Sequence, residues 1–252
     1  MFKYGRQPRL FNPRIAHMSA ILAGSTLPAP PASVDWTANV TEFGMMLNDR
    51  LGDCTCAGIF HARQIWTLNN SQEQTESDRC VLALYEAACD YRVGDPSTDQ
   101  GGSLQNVLLY CLNTGIPLHT GDDKILGFIE VDPRMANDIK IAINDFGVLY
   151  LGFNVPLSIF DENNDPKPVW ELTPNSGGMD GGHCVIAAGY DEEGLTIISW
   201  GRKFKMTWDF FQHYSDESYA VLSQDWLNDS NKMPLGLSED QLKDLMKAIK
   251  GA

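Results

Sequence analysis

The stretch NDRLGDCTCAG, residues 48–58, sets two thiols one residue apart, Cys54 and Cys56, directly behind a Gly52-Asp53 turn. Such a pair can clamp a metal, cycle between thiol and disulfide, pack a core, or supply a nucleophile. Zinc clamps separate paired cysteines by two to four residues and need further ligands nearby. Neither Cys80 nor Cys89 has a Cys or His partner at that spacing. A thioredoxin-like pair needs Cys-x-x-Cys, which is absent. No metal and no cofactor are therefore expected. The residues after Cys54 decide between the remaining two readings. In CTCAGIFHARQIWTLNN (54–70) the residues Ala57, Phe60, His61, Ile65 and Leu68 fall near helical spacing. The pattern predicts a helix of about four turns that begins near Cys54. A thiol at a helix N-terminus is biased toward thiolate, the nucleophilic form.

A nucleophile also needs a base. GGHCVIAAGYD (181–191) offers His183 at the head of a strongly β run, behind two glycines that leave the imidazole edge open. Each residue has a plainer reading when taken alone. Free cysteines are among the most buried residues, and many histidines simply start strands. Cys56 lies two residues beyond Cys54, so on a helix it points elsewhere and reads as core packing. His61 reads as a packed histidine of the same helix. His17, His119 and His213 have no partner pattern.

Composition narrows the function classes. The chain has 252 residues, 43% apolar and 21% charged, enough for a core without staples. The net charge is −14 and no basic stripe is present, which argues against nucleic acid as a partner. No apolar run is long enough to span a bilayer, and the basic beginning of the sequence lacks an apolar h-region. These features predict a cytoplasmic protein whose six cysteines remain thiols.

Along the chain, residues 1–31 read as an extended, proline-broken arm. Helices are expected at SDRCVLALYEAACDYR with Ser77 as N-cap, and at SLQNVLLYCLNTG, stopped by Gly115. A further helix fits DPRMANDIKIAINDFG, with Asp132 as cap and Pro133 at its first position. Strands are expected at VLYLGFNVP, HCVIAAGYD, LTIISWG, MTWDFFQHY and YAVLSQDW. The tail SEDQLKDLMKAIK carries a capping box at Ser238 and Gln241 and predicts a terminal helix over 229–252. The order predicts an α+β domain over 32–228, with a helical lobe at about 48–125 and an antiparallel β lobe at about 126–228.

Several motifs together resemble the papain-like cysteine peptidases. PPASVDWTANVTEFGMMLNDRLGDC looks like the start of that family's mature domain, with Trp36 eighteen residues before Cys54. Asn48 falls six residues before Cys54, at the place of the family's oxyanion-hole glutamine. DQGGSLQNVLLYCLNTGI resembles its Gly-Gly stretch and following helix, GGHCVIAAGYD its histidine strand, and LTIISWG the strand ending in Asn-Ser-Trp-Gly. The resemblance covers about residues 32–225. It implies a cleft between two lobes, in which the Cys54 thiolate attacks a carbonyl carbon of a peptide or other amide or acyl substrate. His183 would be the base and then the acid. Asn48 and the Cys54 N–H would form the oxyanion hole. Gly101 and Gly102 would hold substrate backbone, and Trp200 would cover the back of the site.

Some features depart from that pattern. The family's cleft asparagine is missing: counted without gaps from His183 its place falls on Ser199, and counted from Ser-Trp-Gly it falls on Ile198. Asp53 would push the thiol pKa upward by like-charge repulsion. The resemblance thus leaves three readings: a cysteine peptidase, an acyltransferase or cyclase on the same scaffold, and an inactive binding module. One role open to the arm is to lie along the cleft as a short autoinhibitor.

Overall fold

The computed structural model describes residues 2–23, 28–70 and 72–227. The predicted terminal helix over 229–252 lies outside the described residues. In chain order the helices are α1 (Met18–Leu22), α2 (Cys54–Asn70), α3 (Asp78–Cys89), α4 (Leu104–Asn113), α5 (Ala136–Phe146) and α6 (Trp208–Tyr214). The strands are β1 (Val34–Asp35), β2 (Ile116–Leu118), β3 (Gly121–Asp123), β4 (Ile125–Glu130), β5 (Leu149–Pro156), β6 (Val169–Trp170), β7 (Met179–Tyr190), β8 (Gly194–Ser199), β9 (Arg202–Thr207) and β10 (Ser215–Ser223).

Helix α2 is the axle of the molecule. Every residue from Cys54 to Thr67 is buried, as expected for a helix covered on all sides. One side packs on α3 and α4, and the other packs on β7 and β5 of the sheet. Polar groups buried at this junction find partners across it. Trp66 is fully buried and its indole N–H donates to Phe146 O at 2.9 Å. The Tyr150 hydroxyl on β5 donates to Thr55 O at 2.8 Å, in the first turn of α2. Gly58 lets the Tyr150 ring lie against the helix, since a Cβ there would stand 3.0 Å from the ring.

The β lobe is one sheet in the order β4-β10-β5-β7-β8-β9-β6, with β1 paired to β7. All pairs are antiparallel except β6 with β9. The α+β architecture therefore agrees with the sequence. The helices at SDRCVLALYEAACDYR and SLQNVLLYCLNTG form where the pattern places them, with Ser77 and Ser103 at the N-cap positions.

Two local expectations are corrected, and one element is added. MTWDFFQHY is mostly helix: Thr207 Oγ1 accepts from Phe210 N–H and caps α6, and Phe210, Phe211 and Tyr214 turn onto the sheet. Aromatic residues suit strands by bulk, but a Thr cap and helical spacing of the buried rings override that preference here. The helix expected from Asp132 starts later, at Ala136, because the Asp132 carboxylate is engaged with Arg134 in a preceding turn. The hairpin of β2 and β3 lies in the helical lobe and is too short to carry a period.

Candidate active site

Cys54 is the first residue of α2, because Asp53 O accepts the N–H groups of Cys56 and Ala57 and so opens the helix. Its thiol faces two backbone N–H groups, that of Cys184 on β7 and that of Gly5 in the arm. His183 is the residue before Cys184, so the strand that touches the sulfur also carries the imidazole. His183 Nε2 pairs with Ser199 Oγ at 2.7 Å, while Nδ1 is buried without a hydrogen-bond partner among the described residues. Of the two positions left open for the histidine's polar neighbour, Ser199 is the one in contact.

Ser199 ends β8, and Trp200 and Gly201 form the two-residue turn into β9, where Ser199 opposes Arg202. Both turn residues have positive φ, 46° and 68°, the geometry of a tight hairpin turn that suits strand twist. Gly201 tolerates this conformation freely; Trp200 adopts it at a cost of about 1–3 kcal/mol. The turn lays the indole flat on the imidazole, with ring centroids 4.4 Å apart and 14° between planes. Trp200 thus covers one face of His183.

Asn48 is buried, but its amide nitrogen faces inward, toward Asp53 Oδ1 at 3.2 Å and Leu51 O at 3.3 Å. Burial pushes the Asp53 carboxyl well above the usual range, and its Oδ2 has no hydrogen-bond partner among the described residues. The charge of Asp53 is among the causes that push the Cys54 thiol upward, as expected, while its own carboxyl is shifted upward by burial. Stability inherits this shift. A carboxyl whose folded pKa is raised contributes fully below its unfolded value of about 4 and loses that contribution as pH rises through the folded value. Asp53→Asn removes the titration and keeps the Asn48 contact. Its melting temperature should exceed wild type by about 3 °C at pH 8, and the gap should narrow as the pH falls to 5. A gap that widens on acidification would refute this account of Asp53.

The segment that fills the cleft is the arm, the place the sequence left open for it, although the sequence did not say which of its residues enter. Residues 3–7 of the arm run through it. Lys3 N–H donates to Asn48 O at 3.3 Å, and the Trp200 indole donates to Lys3 O at 3.3 Å. The Tyr4 ring stands edge-on to His183. Gly102 N–H donates to Gly5 O at 2.7 Å, Gln7 N–H donates to Gly102 O at 2.9 Å, and Arg6 N–H donates to Gly182 O at 3.0 Å. The Gly101 N–H instead donates to the Tyr85 hydroxyl at 2.9 Å. Contact is so close that a Cβ on Gly5 would stand 1.6 Å from Gly52 O, and one on Gly101 would stand 1.9 Å from Gly5 O. Which arm residues enter is marked in the sequence by Gly5, a residue without a side chain between Tyr4 and Arg6.

The arm leaves Cys54 1% and His183 0% exposed. Burial pushes the thiol up to about 12, against the pull of the Cys184 N–H, and pushes the imidazole down to about 3. In the covered state both groups are neutral. Cys56 is turned toward Cys89 and Cys111 and packs in the core, and burial raises its thiol as well. His61 is buried against Gly44 O at 2.9 Å, and burial lowers it to about 4.

A helical lobe and an antiparallel lobe that meet along a buried helix, with a thiol at its head and an imidazole on the facing strand, make up the papain-like fold. Solved structures agree. The chain is similar to xylellain, a cysteine protease from Xylella fastidiosa, with a TM-score of 0.69 at 17% identity over 88% of this chain and 96% of that one. It is similar to the Carica candamarcensis cysteine protease CMS1MS2, with a TM-score of 0.53 at 17% identity over 77% and 99%. It is similar to the bromelain protease of Ananas comosus, with a TM-score of 0.52 at 13% identity over 77% and 100%. No family model and no curated protein sequence matches the chain. The chain is a divergent form of the papain-like fold. Among the described residues no helix is long and apolar enough to cross a membrane.

Proposed function

We propose that the chain is a thiol-dependent hydrolase, a cysteine peptidase cleaving amide bonds, held in a covered state by residues 3–7 of its own arm. The observation that carries this reading is the state of His183. Ser199 Oγ engages Nε2 and leaves Nδ1 free on the strand that meets the Cys54 sulfur. With Nε2–H donated to Ser199, Nδ1 keeps the lone pair a base needs. The thiol proton passes to this nitrogen, the thiolate attacks the amide carbon, and the imidazolium then protonates the departing amine. Water hydrolyses the thioester with His183 again as base.

The same geometry explains why the arm is not itself consumed. The leaving amine must lie on the side of His183 and Trp200, because the imidazolium protonates it. That side holds Lys3 and Tyr4, which precede Gly5, whereas in a productive peptide the leaving part comes after the attacked residue. The arm therefore runs backwards. Its Gly5 carbonyl also bonds to Gly102 rather than facing the head of α2.

A second reading, an inactive binding module, is favoured by one observation: the Asn48 amide is committed to Asp53 and Leu51 O rather than to the cleft. One experiment separates the two. Gly5→Val should dislodge the arm, since its side chain has no room beside Gly52. The variant should then release amine from a mixed peptide-amide library, and Gly5→Val with Cys54→Ala should lose that activity by about 1000-fold or more. Amine release that survives Cys54→Ala would overturn the peptidase reading. No release from a Gly5→Val protein whose Cys54 alkylates rapidly would favour the module.

A further inference from the structure

The arm residue after Gly5 is buried as deeply as a core side chain, although it is an arginine. The Arg6 side chain is 2% exposed and enters a slot beside β5 and β10. Its Nε–H donates to Glu217 Oε1 at 2.8 Å, and its Nη2 pairs with Asp216 at the half-exposed mouth. Glu217 is itself 1% exposed. The slot exists because Gly152 has no side chain: a Cβ there would stand 2.4 Å from Arg6 Nε. Side chains other than Arg6 also hold the floor. Glu217 Oε2 accepts from the Tyr219 hydroxyl at 3.0 Å, and that hydroxyl accepts from Gln105 Nε2 at 2.9 Å. A buried carboxylate is costly without a cation, and burial does raise the Glu217 carboxyl while Arg6 lowers it.

We propose that this slot is the specificity pocket of the enzyme, that Arg6 occupies it as a stand-in for substrate, and that the substrates are peptides with an arginine there. The inference rests on the peptidase reading and extends it to a substrate class. The cleft fixes the position along the substrate. Gly5 lies at the thiol, and the leaving side is that of Tyr4 and His183. Arg6 is therefore on the acyl side, and the substrate arginine sits one residue N-terminal to the residue whose carbonyl is attacked. A planar guanidinium fits two carboxylates better than an ammonium does, so arginine should exceed lysine. Citrulline, the same shape without charge, isolates the contribution of the ion pair.

The test uses the full chain carrying Gly5→Val and fluorogenic dipeptide amides of the form acyl-X-Gly, with X arginine, citrulline, lysine or leucine. Arginine should exceed citrulline by about 30-fold in kcat/KM, and Glu217→Gln should reduce that ratio to about threefold or less. Asp216→Asn, at the mouth, should reduce it by about threefold and serves if Glu217→Gln does not fold. A ratio near one in Gly5→Val, or a ratio that neither variant changes, overturns the proposal. Binding keeps it separate from catalysis. Gly5→Val with Cys54→Ala is titrated with labelled Lys-Tyr-Gly-Arg-Gln and with its citrulline analogue. Tighter binding of the arginine peptide that Glu217→Gln removes, with no amide cleavage by the Gly5→Val protein that keeps Cys54, would refute the peptidase reading and keep the pocket. Cleavage without arginine preference would refute the pocket alone.

Discussion

Alkylation of Cys54 by iodoacetamide at pH 7 should be at least about 1000-fold faster in Gly5→Val than in wild type, read by mass spectrometry of the Cys54 peptide. Two effects of the arm combine. Access is one, since Cys54 is 1% exposed under residues 3–7. Ionisation is the other. Burial holds the covered thiol up to about 12, and a thiol returned to water titrates near about 8.5. That difference alone raises the thiolate fraction at neutral pH by about 1000-fold. The pH profile gives the sign. Wild type should climb steadily through pH 10 with no plateau, whereas the uncovered thiol should level off at or below about pH 9. Equal rates in the two proteins would show that the arm does not control the thiol. A second route to the same state is deletion of residues 1–12, which removes the Gly5 contacts without placing a side chain in the cleft.

Replacing His183 should cost the uncovered enzyme about 1000-fold or more in kcat/KM, whereas replacing Ser199 should cost about tenfold. On the proposed mechanism, His183→Ala removes the side chain that accepts the thiol proton and returns it to the amine. Ser199→Ala leaves the ring in place under Trp200 but orphans Nε2–H in a buried site. The imidazole then loses its preference for the tautomer with a free Nδ1. Its consequence should be a lower kcat with little change in KM, because substrate contacts do not run through Ser199. Ser199→Asn supplies an amide oxygen as acceptor and should recover part of the loss. A His183→Ala enzyme within fivefold of its parent would remove the thiol–imidazole mechanism from consideration.

Much of the fold is visible in local pattern. The apolar spacing after Cys54 marks α2 because a helix buried on all sides needs no polar stripe, and the Gly-Asp turn before it fixes where it begins. The strands at VLYLGFNVP and HCVIAAGYD are legible because each is a continuous β-branched and apolar run. MTWDFFQHY misleads for the same reason, since bulky aromatics satisfy the strand signal and only Thr207 marks the helix. In the candidate site, Cys54 and His183 stand out as residue types with chemistry. Ser199 is one of two positions the spacing leaves open, and the choice falls to the register of β8 against β7, which brings its hydroxyl to 2.7 Å from the ring.

Local sequence by itself determined most of the elements, the order of the two lobes and the reactive residue types, since periodicity, caps and turn residues act within a few positions of one another. Only the tertiary structure decided that Asn48 turns to Asp53, that residues 3–7 run through the cleft, and that Arg6 meets Glu217. Arg6 and Glu217 are 211 residues apart, and each alone is an ordinary surface charge. Their pairing depends on the absence of a side chain at Gly152 and on the closure of Gly5 against Gly52. No local pattern encodes those approaches, because they are set by which backbones the packed lobes bring within contact.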